Sequence, residues 1–337
     1  MRLLIGLLAG LCALRGADGL RVYAIDVEGG KATLYVSPSG ESMLVDAGYA
    51  GNHNRDANRI AAAAKDAGVK QIDYLVVTHY HKDHMGGVPQ LAATLPVVNF
   101  VDHGKSFETA KEVDDEYNAY LSARKKGNYI PVKAGDRIPI RGIQVDVVTA
   151  AGEAIAKPLP GGGQLNPTCA TYQALKPDSG ENARSIGIVI TFGQFRLADL
   201  GDLYWNQEHD LACPENKIGW VDVYMTTHHA KKTSVSPQSV WSMHPTVAIM
   251  NNGPNTGADP RAWQTIRSSP GLQGLWQLHL AQATDEAHNA PEPFIANLGE
   301  PCEGKWILLT ALRDGGFTVT NSRNGFANKY RVRVAHP

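Results

Sequence analysis

The sequence predicts an α/β fold in which helices pack on a mixed β-sheet. The chain opens with a meander of three short strands, and beyond residue 58 helices and strands alternate. Such an alternation places helices against the faces of a sheet. The chain has 337 residues and is 43% hydrophobic, which is enough to bury the core of one large domain.

The first hundred residues define most of these elements. Alternating apolar and polar residues between glycine and proline turns are typical of strands. An alanine-rich stretch that ends at a glycine is typical of a helix. We therefore predict strands at 20–26, 32–37, 42–45, 72–77 and 97–101, and helices at 58–68 and 88–95.

The rest of the chain combines surface segments with strongly apolar strands. Residues 104–128 are charged and predict a helical insertion on the surface. Residues 151–183 are rich in proline and glycine and predict a long irregular loop, a kind of segment that is usually functional or disordered. We predict a pair of strands within 130–148, further strands at 185–192, 194–200, 221–226, 246–250, 305–311 and 317–320, and a helix at 260–268.

The N-terminus has the pattern of a secretory signal peptide over residues 1–19. Arg2 gives a basic start, an apolar run extends from Leu3 to Leu14, and small residues flank the expected cleavage site. The run is too short to span a bilayer, and no later segment predicts a transmembrane helix. An N-terminal strand of the fold is the alternative interpretation. The signal peptide predicts export to the periplasm or the extracellular space.

The charge of the chain is balanced, with 32 Lys and Arg against 33 Asp and Glu. This balance gives no strong signal for nucleic acid or for an anionic membrane held by bulk electrostatics. A local charged patch is compatible with the composition. The sequence carries no indication of the oligomeric state.

Three cysteines remain after the predicted signal peptide: Cys169, Cys213 and Cys302. An oxidising compartment permits one disulfide among them and leaves one thiol. The sequence does not identify the pair. Metal ligation is the alternative role, but the three cysteines are scattered and lack the close spacing of a CxxC motif.

A dense group of potential metal ligands follows the predicted strand at 72–77. His79, His81, Asp83 and His84 occupy four of six consecutive positions, so a buried strand delivers them to its end. Imidazole and carboxylate groups are the usual ligands of zinc and similar divalent ions. An isolated histidine is more often a structural polar residue, but this density of ligand types predicts a metal site.

Two later strand ends carry further candidate ligands. Asp202 follows the predicted strand 194–200, and His228 and His229 follow the strand 221–226. Sites in open α/β sheets gather at the carboxyl ends of strands, so we expect these residues near the first group. Taken alone, Asp202 could belong to a turn, and the histidine pair could be structural.

These motifs together resemble those of metallo-β-lactamase-fold hydrolases. The His-x-His-x-Asp-His loop that marks the family matches residues 79–84, and residues 46–48 (DAG) resemble the motif whose aspartate supports that loop. Residues 200–202 (LGD) and 227–230 (THHA) resemble two later motifs. The opening turn at 26–32 (DVEGGKA) is similar to that of the metallo-β-lactamase-like domain of DNA-uptake competence proteins, whose last motif is HHGS.

This resemblance implies an αββα sandwich, with two mixed β-sheets packed face to face and helices on the outside. It covers residues 20–255, so residues 256–337 are expected as a C-terminal extension packed on the same domain. It also implies two divalent metal ions, with zinc as the first choice and manganese or iron as alternatives. The implied ligands are His79 and His81 for the first ion, Asp83, His84 and His229 for the second, and Asp202 between the two.

The same comparison of motifs assigns roles to nearby residues. Alignment with the family's Pro-Gly-His-Gly form makes His229 the ligand and leaves His228 either to support the ligands or to contact substrate. Asp46 is implied to orient a metal-bound histidine through a hydrogen bond. Ala230 stands where the family usually has glycine, and the added methyl group is expected to alter the loop.

The middle of the chain departs from the common family pattern. Many members supply a third histidine to the first ion there, but this chain has no histidine between His103 and His209. Competence-type proteins show an Asn-x-x-Ser element instead, which is matched here by Asn182 and Ser185. Asn182 and His103 are therefore alternative ligands or substrate contacts, and a structural role stays open for each.

The resemblance implies hydrolysis by a metal-bound hydroxide, with Asp83 and His228 as the catalytic residues. Metal binding can lower the pKa of water from ~15.7 to about 7. The competence-type motifs favour a phosphodiester substrate, whether a small molecule or part of a larger one. Hydrolysis of a lactone, a β-lactam or a thioester is the alternative, and a non-catalytic ligand-binding relative is the second alternative.

Overall fold

The computed structural model describes residues 19–108 and 111–332. The predicted signal peptide therefore lies outside the described residues, except for Gly19. In the first half of the chain the strands are β1 Leu20–Ile25, β2 Thr33–Val36, β3 Ser42–Val45, β4 Ile72–Val76, β5 Val97–Asp102, β6 Asn128–Pro131, β7 Arg137–Ile138, β8 Gln144–Ala150, β9 Glu153–Ala154 and β10 Gln164–Leu165.

The second half of the chain contributes ten more strands. These are β11 Gly187–Phe192, β12 Phe195–Asp199, β13 Glu215–Asn216, β14 Val223–Met225, β15 Val247–Met250, β16 Gly274–His279, β17 Ile295–Asn297, β18 Trp306–Ala311, β19 Gly316–Asn321 and β20 Ala327–Arg331. The α-helices are α1 Arg55–Asp66, α2 Lys82–Met85, α3 Val88–Thr94, α4 Lys111–Arg124, α5 Trp205–Ala212, α6 Pro237–Met243 and α7 Pro260–Arg267.

Two mixed β-sheets form the frame of the molecule. The first sheet has the strand order β20-β19-β18-β1-β2-β3-β4-β5-β6, and its pairing changes from antiparallel to parallel at β3. The second sheet has the order β17-β16-β15-β14-β12-β11-β8-β7, and its pairing is parallel from β17 to β12 and antiparallel beyond. Parallel strands connected by helices bring several strand ends to one edge of each sheet.

Three apolar layers hold the sheets and helices together. One lies between the two sheets and includes Val45, Ile188 and Leu309. A second joins the outer face of the first sheet to α1, α3 and α4, and a third joins the second sheet to α5, α6 and α7. The predicted α/β sandwich, with two mixed sheets face to face and helices outside, is confirmed.

Most of the predicted elements are present, with ends that differ by up to about three residues. The segment 130–148 holds parts of three strands rather than two, since β6, β7 and β8 all fall there. Helix α4 confirms the predicted helix within 104–128, although its Tyr120 is fully buried against the first sheet. The prediction missed α5, α6, β16, β17 and β20, which are short or rich in polar residues.

The segment 151–183 contains little regular structure apart from β9, β10 and a short 3-10 turn. A disulfide between Cys169 and Cys213, with Cα atoms 5.8 Å apart, ties this loop to the end of α5. Cys302 is the free thiol among the described cysteines. The predicted combination of one disulfide and one thiol is confirmed, and the structure identifies the pair.

The residues beyond 255 enter both sheets. Strands β16 and β17 extend the second sheet, and β18 pairs with β1 along the first sheet. Among the helices within 19–108 and 111–332, none has the length and apolar character that crossing a membrane requires.

Candidate metal centre

The candidate site lies where strands of both sheets end. His79 to His84 follow β4 of the first sheet, while Asp202 and His229 follow β12 and β14 of the second. A backbone hydrogen bond of 2.8 Å from Ile186 N to Thr78 O joins the two groups of loops. The structure thus brings together residues that are up to 150 positions apart.

Four of the predicted ligands form one compact cluster. Suitable atoms of Asp83, His84, Asp202 and His229 all lie within 4.8 Å of one another. Oδ2 of Asp202 is 3.2 Å from His84 Nε2 and 3.3 Å from His229 Nε2. Oδ2 of Asp83 is 3.4 Å from His229 Nε2 and 3.7 Å from His84 Nε2.

A second pair of ligand atoms lies beside this cluster. His79 Nε2 and His81 Nδ1 are 3.1 Å apart, and the ring of His79 is 4.1 Å from that of His84. Oδ1 of Asp202 is buried and has no hydrogen-bond partner among the described residues. Because Oδ2 of the same carboxylate faces the four-residue cluster, Oδ1 is free to serve the second pair.

The histidine tautomers follow from the contacts of the other ring nitrogens. Nδ1 of His84 lies 2.7 Å from Asp46 Oδ2, and Nδ1 of His229 lies 3.2 Å from the Asn251 carbonyl oxygen. Both acceptors require a proton on Nδ1. In the neutral form, Nε2 of each ring then carries a lone pair, and neither Nε2 has a hydrogen-bond partner in the described part of the chain.

Contacts with neighbouring groups also fix the tautomers of the other two histidines of the loop. Nδ1 of His79 is 3.1 Å from Thr78 Oγ1, whose hydroxyl donates to Asp46 Oδ2, so the ring must donate to Thr78. Nε2 of His81 is 3.3 Å from Glu108 Oε1. The two nitrogens that face each other therefore both carry lone pairs, an arrangement that a shared cation stabilises.

This donor set fits divalent metal ions. Ligands held 2.0–2.2 Å from a tetrahedral zinc ion lie roughly 3.3–3.6 Å from one another, close to the separations found here. Four imidazole nitrogens and two carboxylates suit zinc, iron or manganese better than calcium, which prefers oxygen alone. The arrangement divides into one place for an ion between His79 and His81 and another within the four-residue cluster.

The electrostatics of the cluster favour positive charge. Burial alone would lower the pKa of His84, but Asp202, Asp46 and Asp83 together raise it well above its usual value. Burial alone would likewise raise the pKa of Asp202, but His84 and His229 hold it well below its usual value. The carboxylates thus stay ionised and attract a cation, either as protons on the rings or as metal.

The histidine pair lies on an unusual stretch of backbone. His228, His229 and Ala230 have φ angles of 51°, 55° and 60°, in the left-handed region that side chains disfavour. Hydrogen bonds from His228 N to Gly201 O and from Ala258 N to His229 O hold the stretch in place. Strained backbone of this kind is found at functional sites. The alanine in place of glycine is accommodated here with its methyl group buried.

His228 lies beside the cluster rather than within it. Its Nε2 is 3.7 Å from Asp202 Oδ2, while Nδ1 is 3.1 Å from Ser234 Oγ. The Ser234 hydroxyl donates to the Leu203 carbonyl oxygen, so it accepts a hydrogen bond from His228. Burial lowers the pKa of His228 to about 3, which makes the ring neutral with a lone pair on Nε2.

The residues predicted as supports or alternative ligands take different places. Ser185 Oγ accepts a hydrogen bond of 3.1 Å from Asp202 N and so holds the loop of that ligand. Asn182 contacts the hydroxyl of Tyr204, and its Oδ1 is buried without a partner among the described residues. His103 is not brought into the cluster, because its Nε2 faces Glu181 Oε2 at 3.1 Å.

Sequence reasoning missed several residues that position the ligands. Glu108 contacts His81, and Glu181 accepts hydrogen bonds from Tyr80 N and Phe107 N beside it. Both glutamates belong to irregular segments in which no spacing points to the site. Tyr204 stacks on His228 with ring centroids 5.0 Å apart. Its position two residues after the Leu-Gly-Asp motif was the available signal.

Lys31, in the DVEGGKA turn, forms a buried ion pair with Asp199, which also accepts a hydrogen bond from Tyr35. The backbone of Lys31 donates to Asp83 O at 3.0 Å. The turn that suggested a subfamily resemblance therefore supports one of the metal ligands directly.

A cavity of about 610 Å³ opens beside the site. Its walls include His81 and Asp83 together with Lys82, Glu108 and Glu116. Helix α4 supplies Glu116, so the charged insertion forms one wall of this cavity. The cavity gives a substrate access to the ligand atoms.

A family model matches the part of the chain that carries the first motifs of the site. The model described as the metallo-beta-lactamase superfamily matches residues 25–169, which contain both Asp46 and the histidine loop. Residues 25–169 of the chain are thus similar to the metallo-beta-lactamase superfamily. The later motifs at Asp202 and His229 lie outside the matched residues but complete the same site in three dimensions.

Known proteins also resemble parts of the chain. A UPF0173 metal-dependent hydrolase of Staphylococcus carnosus is 26% identical over 106 residues, 31% of this chain and 43% of that protein. A ribonuclease Z of Alkaliphilus oremlandii is 33% identical over 64 residues, 19% of this chain and 18% of that protein. The matched segments thus span less than half of either relative.

Solved structures also include similar folds. The metallo-beta-lactamase fold protein YhfI from Bacillus subtilis is 10% identical, with a TM-score of 0.48. The similarity covers 77% of this chain and 96% of that protein.

Proposed function

We propose that this chain is a metal-dependent hydrolase that acts on a phosphodiester. The observation that supports the proposal is the convergence of four histidine nitrogens and two carboxylates at one edge of the sandwich. In each of those histidines, the ring nitrogen that faces away from the centre donates to a hydrogen-bond acceptor. The ligand nitrogens are therefore oriented before a metal binds. A non-catalytic relative would have no need to retain the complete set.

Two ions held there would supply a nucleophile by acidifying water and would polarise the scissile bond. His79 and His81 would hold one ion, Asp83, His84 and His229 the other, and Asp202 would contact both. Asp83 is the most exposed ligand of the cluster, and His84 and His229 keep its pKa low. It therefore orients the attacking water as a hydrogen-bond acceptor. His228 presents a second acceptor, Nε2, on the same side.

The choice of a phosphodiester has two supports. One relative carries the name ribonuclease Z, an enzyme class that cleaves phosphodiesters. Two lysines also lie near the centre: Lys82 lines the cavity, and Lys231 is close enough to His228 to lower the pKa of that ring. These cations favour a substrate that is anionic before the reaction and gains charge during it.

We also propose that the protein acts after export. The support is the disulfide between Cys169 and Cys213, since such bonds persist in oxidising compartments and are rare in the cytosol of mesophiles. Mass spectrometry of the protein from its native host would test the proposal. A mature chain that begins near residue 20 supports it, and an intact N-terminus contradicts it.

The metal content and the substrate preference test the hydrolase proposal together. We expect two divalent ions in the catalytic centre of the purified chain and turnover of bis-p-nitrophenyl phosphate but not of nitrocefin or a simple lactone. Asp83→Asn should lower turnover by about 10²-fold or more, because a positioned acceptor of the water proton is lost. Asp314→Asn, in an exposed turn, is the matched control and should retain full activity.

The possible outcomes separate the alternatives. A centre that stays empty after incubation with zinc, manganese or iron contradicts the hydrolase proposal as a whole. A filled centre that cleaves nitrocefin or a lactone and leaves the phosphodiester intact contradicts only the substrate class.

A further inference from the structure

A second group of ligand-type side chains lies outside the centre described above. A carboxylate oxygen of Asp26, a ring nitrogen of His279 and Sγ of Cys302 all lie within 4.8 Å of one another. Asp26 follows β1 of the first sheet, and His279 ends β16 of the second. Cys302 lies in the segment that leads from β17 to β18, and so from one sheet to the other. None of the three belongs to the catalytic cluster.

The histidine of this group has a free nitrogen in a buried place. His279 is fully buried, and its Nδ1 is 3.1 Å from the Leu280 carbonyl oxygen. That contact assigns the proton to Nδ1 and leaves a lone pair on Nε2. Nε2 has no hydrogen-bond partner among the described residues. A buried lone pair of this kind is costly unless a donor or a cation meets it.

The other two groups are arranged like oriented ligands. Sγ of Cys302 is 3.1 Å from Asp26 Oδ2, while Asp26 Oδ1 accepts a hydrogen bond of 2.9 Å from Glu28 N. The backbone amide thus fixes one oxygen of the carboxylate and leaves the other facing the thiol. Supporting hydrogen bonds of this type orient the ligands of metal sites.

The charges around these three residues favour the binding of one cation. Asp26, Glu28 and Asp56 contact two guanidinium groups, those of Arg55 and Arg59. With all five groups ionised, this network of three carboxylates and two guanidinium groups has a net charge of −1. A divalent ion that displaces the thiol proton adds one positive charge to the network and neutralises it.

We propose that Asp26, His279 and Cys302 bind a divalent metal ion, with zinc as the preferred ion. One sulfur, one nitrogen and one oxygen ligand suit zinc, which accepts all three and takes a fourth ligand from water. Cys302 is partly exposed, so an ion can enter from solvent. The ion joins the first sheet, the second sheet and the connection between them.

The cysteine makes the proposal testable separately from the catalytic centre. The catalytic ligands are histidines and aspartates, and Cys302 is the free thiol among the described cysteines, so a sulfur-to-metal charge-transfer band that Cys302→Ser removes comes from this second site. We would load the purified, non-reduced full chain with cobalt(II) and record its near-ultraviolet and visible spectra. The proposal expects a charge-transfer band in the wild type and one more ion per chain than the catalytic centre holds.

Cys302→Ser should lose the band and one ion per chain, while the visible cobalt bands of the histidine and carboxylate centre remain. His279→Gln should also lose the ion, which distinguishes a bound metal from a reactive thiol. A wild-type chain whose catalytic centre is filled but which shows no charge-transfer band overturns the proposal. So does a band that persists in Cys302→Ser. If neither variant folds, the absence of the band from a wild type with a filled catalytic centre still overturns the proposal.

Discussion

At the scale of single residues, the site depends on acceptors that the ligand motif does not contain. Asp46, Thr78, Glu108 and the Asn251 carbonyl each contact the non-ligating nitrogen of a histidine. The motif predicts which residues bind metal, but these contacts decide which nitrogen does. Asp46 was identified from sequence because it belongs to a motif. Glu108 was not, because its place depends on how a loop folds over His81.

A buried carboxyl near the site predicts a specific pH dependence of stability. Glu208 of α5 accepts hydrogen bonds from Val235 N and Ser236 N, after the histidine pair, and burial raises its pKa from 4.5 to about 7. A carboxyl with a raised pKa binds its proton more tightly in the folded chain than in the unfolded chain. Its contribution to stability is therefore fully present below about pH 4.5 and is lost as the pH rises through about 7.

Glu208→Gln should remove this dependence. As the pH falls from about 7 to 4.5, the wild type should gain up to about 3 kcal/mol in free energy of unfolding relative to the variant. Urea unfolding at several pH values, with chelator present in both samples, measures the difference. Any constant cost of the amide drops out of the comparison. Parallel pH profiles for the two proteins would contradict the assigned pKa.

At the scale of elements, the sequence predicted where the strands end but not the backbone conformation of the loops that follow them. The strands that precede His79, Asp202 and His229 were predicted because each is an apolar run that ends in polar residues. The left-handed backbone conformation from His228 to Ala230 could not be predicted from the sequence, because alanine stands where the family usually has glycine. It arises because Gly201 O and Ala258 N hold the loop from both sides.

Gly257 has a direct role in holding that loop. Its φ angle is +75°, and a Cβ atom placed on it would lie 1.8 Å from the carbonyl oxygen of His229. Gly257→Ala must therefore displace the His229 backbone, and we expect metal affinity at the four-residue cluster to fall by about 10–100-fold. Competition with a metal-binding dye measures the affinity.

Gly68→Ala is the matched control for this prediction. Gly68 has a φ angle of +72°, so alanine meets the same backbone strain there, but a Cβ atom on Gly68 has open space around it. The control should lose some stability and keep the metal affinity of the wild type. Equal affinity in both variants would show that the His229 loop tolerates the displacement.

At the scale of the whole molecule, the sequence alone predicted a mixed sheet with helices. The face-to-face arrangement of two sheets came from the resemblance, because hydrophobic alternation shows that a strand has a buried face but not which sheet covers it. The C-terminal strands illustrate this limit. β18 pairs with β1 across nearly 300 residues of chain. No local pattern encodes a pairing of that length.

The pairing of β18 with β1 predicts that the C-terminal residues belong to the same folding unit as the candidate metal centre. Leu309 of β18 is fully buried between the two sheets, whereas Leu312 just beyond it is 47% exposed. Leu309→Ala should lower the free energy of unfolding by about 2–5 kcal/mol, because it leaves a cavity in the shared core. Leu312→Ala should change it by no more than about 0.5 kcal/mol.

The decisive measurement compares the urea concentrations at which the chain releases its metal and loses its secondary structure. Urea unfolding followed by circular dichroism and by metal release should give one transition, and Leu309→Ala should shift both signals to the same lower urea concentration. A C-terminal unit that folds separately would behave differently, with an early partial loss of circular dichroism and an unchanged midpoint for metal release. Coincident shifts would mean that the core between the sheets, built from both ends of the chain, holds the catalytic strand ends in register.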